Sequence, residues 1–102
     1  MSLPVVLVHG LRTSRTMWRA QVEALQRVGH RAVAVDLPGH GTRIGEPFTL
    51  DAAVDTVADA IDEVGGPAVV VGLSLGGYVA IRHAVPRDDG RPGTCRSRAF
   101  WT

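Results

Sequence analysis

The sequence predicts an α/β fold, a three-layer α/β/α sandwich built on a parallel sheet. Valine-rich apolar stretches recur at Leu3–Val8 (LPVVLV), Arg31–Asp36 (RAVAVD) and Ala68–Val71 (AVVV). Short runs of this kind suit strands buried on both faces. Between them lie segments with apolar residues at helical spacing, and the resulting order β-α-β-α-β-α is that of parallel strands joined by helical crossovers.

Each element has its own start and stop. His9-Gly10 ends the first strand, and a polar loop from Leu11 to Arg15 offers Thr13 and Ser14 as helix caps. Trp18, Val22, Leu25 and Val28 then recur along one helix face, which Gly29 closes. The second strand runs into Leu37–Gly41 (LPGHG), a turn cluster, and a loop occupies 42–48. Thr49 is placed to cap the next helix, with Asp51 in its first turn set favourably against the helix dipole. Leu50, Val54, Val57, Ala58, Ile61 and Val64 form its apolar face. Gly65-Gly66 and Pro67 end it, the third strand follows, and Leu75–Ala84 is a third helix.

That third strand leads into Gly72-Leu73-Ser74-Leu75-Gly76, a G-x-S-x-G pattern between a buried strand and a helix. This context is that of a nucleophile elbow, where a tight turn lifts a serine hydroxyl above the sheet. Glycines two residues either side let backbone and helix approach without a Cβ clash. The helix start directs backbone N–H groups at a developing oxyanion, and a loop on a neighbouring strand, His9-Gly10-Leu11, could supply a second donor. The same stretch also reads as a glycine-rich turn with an incidental serine cap, and His9 as a histidine that holds its loop.

Taken together, VVLVHGL (5–11), Trp18, DLPGHG (36–41) and GLSLGG (72–77) resemble the α/β-hydrolase family over residues 3 to about 85. The resemblance implies a partial α/β-hydrolase fold, with the family's strands four, three and five side by side. Residues 1–85 would be the N-terminal part of the domain. It implies Ser74 as nucleophile and the N–H groups of Leu75 and Leu11 as the oxyanion hole. His9, Gly10, Gly72, Gly76 and Gly77 support the turns, and Asp36, Gly39, His40 and Gly41 form a structural turn. The reaction would be acyl transfer from a small ester-like substrate to water, with no organic cofactor and no metal.

A serine needs a base, and the base an orienting acid. After Ser74 the chain offers only Asp88, Asp89 and His83. His83 would lie roughly 13 Å along the helix from Ser74 and reads as a helix-surface residue. His30 falls at the opposite end of the sheet. Asp36, His9 and Ser74 stand at the ends of adjacent strands, so an improvised triad is sterically open. The favoured expectation is a truncated enzyme whose triad acid and histidine are absent. The alternative is a non-catalytic fragment or a binding or assembly domain.

The remaining residues, 86–102, carry four arginines, two glycines and two prolines without periodicity. They read as an irregular Arg-rich tail, disordered or frameshifted in GC-rich DNA; all eleven basic residues of the chain are arginine. A phosphate-binding βαβ domain has little support: the turn after the first strand, HGLRTS, has one glycine, and the chain has no lysine for a Gly-rich phosphate loop. Net charge of +1 gives no case for nucleic acid, and no apolar run approaches a membrane span. The start lacks a signal-peptide pattern, and the single cysteine fits a cytoplasmic protein. Three parallel strands would leave two open edges, so self-association through them is expected.

Overall fold

The computed structural model describes residues 3–65, 67–84 and 97–101. Strand β1 (Val5–Val8) leads through a 3-10 turn (Arg15–Trp18) to α1 (Arg19–Arg27) and β2 (Ala32–Val35). A second 3-10 turn (Gly41–Arg43) precedes α2 (Leu50–Glu63), β3 (Ala68–Gly72), α3 (Leu75–Ala84) and β4 (Ser97–Trp101). All four strands are parallel, in the order β2-β1-β3-β4. The expected neighbours of β1 are therefore found. Val5 aligns with Ala32 on one side and Val69 on the other, and Val8 with Val35 and Gly72.

Alternation along β1 builds two cores. Val6 and Val8 point with Ala68 and Val70 to one face, where they pack with Leu37, with Ala53, Val54, Val57, Ala60 and Ile61 of α2, and with Val79 and Ala80 of α3. Val5 and Leu7 point with Ala32 to the other, under Trp18, Val22 and Leu25. The α2 face is shifted slightly from the expected one: Ala53 and Ala60 are buried, while Leu50 and Ala58 are half-buried. Thr49 caps α2 as expected, its hydroxyl accepting from the Ala52 N–H at 3.1 Å. Ser14 caps the 3-10 turn. Val28 is 71% exposed, because α1 ends at Arg27 and the chain turns away at Gly29, φ 94°.

The tail expectation is corrected where it can be compared. Ser97–Trp101 is a strand, not an irregular segment, and pairs in parallel with β3 from Ala68↔Ser97 to Gly72↔Trp101. The physical reason is that β3-α3-β4 repeats the crossover unit used twice before it. SRAFW is short and half polar, so it lacks the continuous apolar run that marks the other strands. Residues 85–96 and 102, with Asp88, Asp89 and Cys95, lie outside the described residues, as does Gly66.

Candidate active site

Parallel strands deliver their carboxyl-end loops to one edge of the sheet. Here the loops after β1, β2 and β3 bring His9-Gly10-Leu11, Asp36–Gly41 and Leu73-Ser74 together there. Ser74 is exposed and has φ 56°, one of only two positive-φ non-glycine residues among those described. An L-residue in this region costs roughly 1 kcal/mol, so packing must hold it there.

Two glycines explain how. A Cβ on Gly76 would strike the carbonyl oxygens of Val8 and His9, so the start of α3 rests directly against the end of β1. A Cβ on Gly72 would strike the backbone of Gly76. Strand β3 and helix α3 therefore meet backbone to backbone, and the single residue of slack between Leu73 and Leu75 takes the strained turn. The Leu73 N–H donates to Val8 O at 3.2 Å, and Gly76 N–H to Leu73 O at 2.9 Å. Gly77 is buried in the first turn of α3. Gly10 closes the contact from the other side: a Cβ there would sit 3.7 Å from Ser74 Cβ and 3.2 Å from Leu73 O.

The N–H of Leu75 opens α3 and so has no intrahelical acceptor. That of Leu11 follows Gly10 on the loop beside Ser74. Neither donates in any backbone hydrogen bond of the turns and loops among the described residues. Leu11 is 65% exposed, and the loop after β2 likewise exposes Ile44 and Phe48 at this end of the sheet.

His9 is fully buried. Its Nε2 accepts the Leu37 N–H at 3.0 Å, which leaves Nδ1 protonated to donate to Gly10 O at 2.7 Å. Burial pushes its pKa down from the ordinary 6.5, with His40 adding to this against the raising effects of Gly10 O and Asp36. Both ring nitrogens are thus committed to backbone, which leaves neither free for the improvised triad. Asp36 is equally committed. Its carboxylate accepts from the N–H groups of Arg15 (2.8 Å) and Thr42 (3.1 Å) and from the Thr42 hydroxyl (2.8 Å), with Arg15 Nε 3.7 Å away. Burial is the largest influence on it and acts upward, but these donors together outweigh it and hold the pKa below 3.8. A Cβ on Gly41, φ 54°, would strike this carboxylate.

Of the other histidines, two have backbone partners. His40 donates from Nδ1 to Pro38 O at 3.0 Å and packs between His9, tilted at 48°, and Phe48, edge-on at 77°. His30 contacts Leu3 O at 3.1 Å, at the opposite end of the sheet. His83 is buried, which corrects the surface placement read from the sequence; α3 turns this position toward the sheet, in step with Val79 and Ala80. Among the described residues no three metal-ligating side chains converge, and no helix is long and apolar enough to cross a membrane. The Arg15 and Thr42 donors to Asp36 were not foreseen; their only sequence signal is that both lie in polar loops, one after β1 and one just past the LPGHG turn.

Two outcomes follow from this geometry. Gly76→Ala should destabilise the fold by at least about 3 kcal/mol in denaturant titration, because rigid backbone cannot yield. Gly45→Ala, with nothing near its Cβ position, should change stability by less than about 0.5 kcal/mol. The depressed His9 pKa means that the unfolded chain binds this proton first as pH falls. Its contribution is complete above pH 6.5 and is lost as pH drops through the lower folded-state value. Stability measured from neutral pH toward about pH 5 should therefore fall more steeply in the wild type than in His9→Asn. Asp36 adds a separate loss only below pH 3.8.

Residues 5–98 match the model of the alpha/beta hydrolase family. The chain is 38% identical over 97 residues to a pimeloyl-[acyl-carrier protein] methyl ester esterase of Neisseria meningitidis, covering 94% of this chain and 36% of that protein. It is 38% identical over 87 residues to lipase LipV of Mycobacterium tuberculosis, covering 83% of this chain and 33% of the lipase. The monoacylglycerol lipase structure from Paleococcus ferrophilus superposes with a TM-score of 0.69 at 33% identity, over 87% of this chain and 37% of that one. The chain thus spans about a third of the length of these relatives. With its sheet order, its strained serine turn and a family match over nearly its whole length, this chain belongs to the alpha/beta hydrolase family.

Proposed function

We propose that this chain carries the nucleophile and the oxyanion hole of a serine hydrolase acting on carboxylic-ester substrates. The observation that carries the reading is Ser74, exposed at φ 56° on a backbone-packed turn at the sheet's carboxyl edge. In the proposed reaction Ser74 Oγ attacks the ester carbonyl while a base accepts its proton. The carbonyl oxygen, now negative, is held by the Leu75 and Leu11 N–H groups. The alcohol departs, and water then releases the acid from the acyl-serine. Leu11, Ile44 and Phe48 give the acyl chain an apolar rim at the same edge.

The relatives named for a methyl ester esterase and for lipases support an ester substrate. No described histidine is placed to serve as the base, so the chain is read as part of such an enzyme. The base and acid would come from polypeptide that the longer relatives possess, and this chain alone would turn over poorly. The proposed compartment is the cytosol, on the strength of the single cysteine.

A second reading, a non-catalytic binding or assembly domain, rests on the commitment of His9 and Asp36 to backbone and loop groups. A fluorophosphonate probe separates the two. On the first reading a folded sample is labelled slowly at Ser74, faster with added imidazole as an external base, and not at all in Ser74→Ala. A folded sample that stays unlabelled even with imidazole supports the second.

A further inference from the structure

The loop after β1 holds a second strained residue besides Ser74. Arg12, next to the proposed oxyanion donor Leu11, has φ 63°. Glycine takes this conformation freely and a long side chain does not, yet an arginine stands here. Its guanidinium makes no ion pair or hydrogen bond among the described residues. The other arginines of these loops are occupied: Arg15 at Asp36, and Arg43 at Glu46 and Thr56.

Arg12 lines a cleft of about 620 Å³ between the loops after β1 and β2, with Thr13, Ser14, Thr16, His40 and Ile44. No acid is among the described residues that line it. Asp36 lies behind Gly41, but its carboxylate is buried and already taken by Arg15 and Thr42. The hydroxyls of Ser14 and Thr16 share one hydrogen bond, so one of the two O–H groups is left to donate. The cleft adjoins the nucleophile. The Thr13 methyl and Ser74 Cβ lie 3.8 and 3.7 Å from the same point, the Cβ position of Gly10. Ile44 belongs both to the cleft and to the apolar rim proposed for the acyl chain.

We propose that Arg12 is a specificity-determining residue that binds a carboxylate at the far end of the acyl chain, so that the substrate is a half-ester of a dicarboxylic acid. This role deepens the ester-hydrolase reading and rests on Ser74 being its nucleophile. A single guanidinium forks onto one carboxylate with two parallel N–H···O bonds. A phosphate dianion would call for a second cation, and no second arginine is among the described residues of the cleft. The acyl chain runs from the ester carbonyl at Ser74, past Ile44, to Arg12. A positive φ at Arg12 is strain of the kind that binding sites retain.

Two fluorophosphonate probes with tails of equal length, one ending in a methyl group and one in a carboxylate, test this on the full chain with imidazole present. The carboxylate probe should label Ser74 at least about tenfold faster at low salt. Arg12→Gln should abolish that preference, and Arg12→Glu should reverse it. Arg12→Gly should also lose it while unfolding at a higher denaturant concentration, since glycine relieves the turn. Equal labelling of the wild type by the two probes, or a preference that survives Arg12→Gln, would overturn the proposal. If neither probe labels Ser74, the nucleophile reading fails and Arg12 is judged by binding alone. Monomethyl suberate titrated into the isotope-labelled wild-type chain should then shift the Arg12 Nε–H resonance, and no shift would overturn the proposal.

Discussion

The meeting of α3 with the end of β1 is the contact on which the site depends. Helix α3 approaches so closely that Gly76 lies against the carbonyls of Val8 and His9. Nothing larger fits, and Gly72 is constrained by Gly76 in turn. Between these fixed points the chain must reverse from strand to helix within three residues. Ser74 takes the left-handed conformation because its neighbours have no room to share the bend. The strain is local and small, but it exposes the hydroxyl and leaves the first N–H of α3 beside it.

A second layer of polar contacts holds the loops that frame this turn. His9 joins the Gly10 carbonyl to the Leu37 N–H, so the loops after β1 and β2 are tied through one buried ring. Asp36 gathers the loops around Arg15 and Thr42 in the same way. These residues stand where catalytic partners of a serine could be sought, yet their donors and acceptors are consumed by backbone and loop groups. Their role is to keep Gly10 against Leu73 and Ser74, and with it the Leu11 N–H that the proposed reaction uses. The neutral state of His9 belongs to this task, because a charged ring could not accept from Leu37.

Much of this was legible in the sequence, for reasons that differ from residue to residue. Valine runs and helical periodicity marked β1, β2, β3 and all three helices, because each sets an apolar face on the core, even α1, which has no fully buried residue and packs through half-buried Val22 and Leu25. GLSLGG was legible because glycine is required wherever backbones touch. SRAFW was not, since a five-residue strand with two polar positions leaves no period to read. His83 was misplaced because helical position alone does not say which face packs. The partners of Asp36 and His9 were hidden because they are backbone groups, which no side-chain pattern announces.

The central claim is that packing, not preference, holds Ser74 at positive φ, and a comparison of two substitutions measures it directly. Ser74→Ala keeps the Cβ and should leave unfolding free energy unchanged within about 0.5 kcal/mol. Ser74→Gly removes the Cβ and should stabilise the fold by roughly 0.5–1 kcal/mol, since glycine accepts this conformation freely. A Ser74→Gly chain less stable than Ser74→Ala would mean that the turn is unstrained, and would contradict the account.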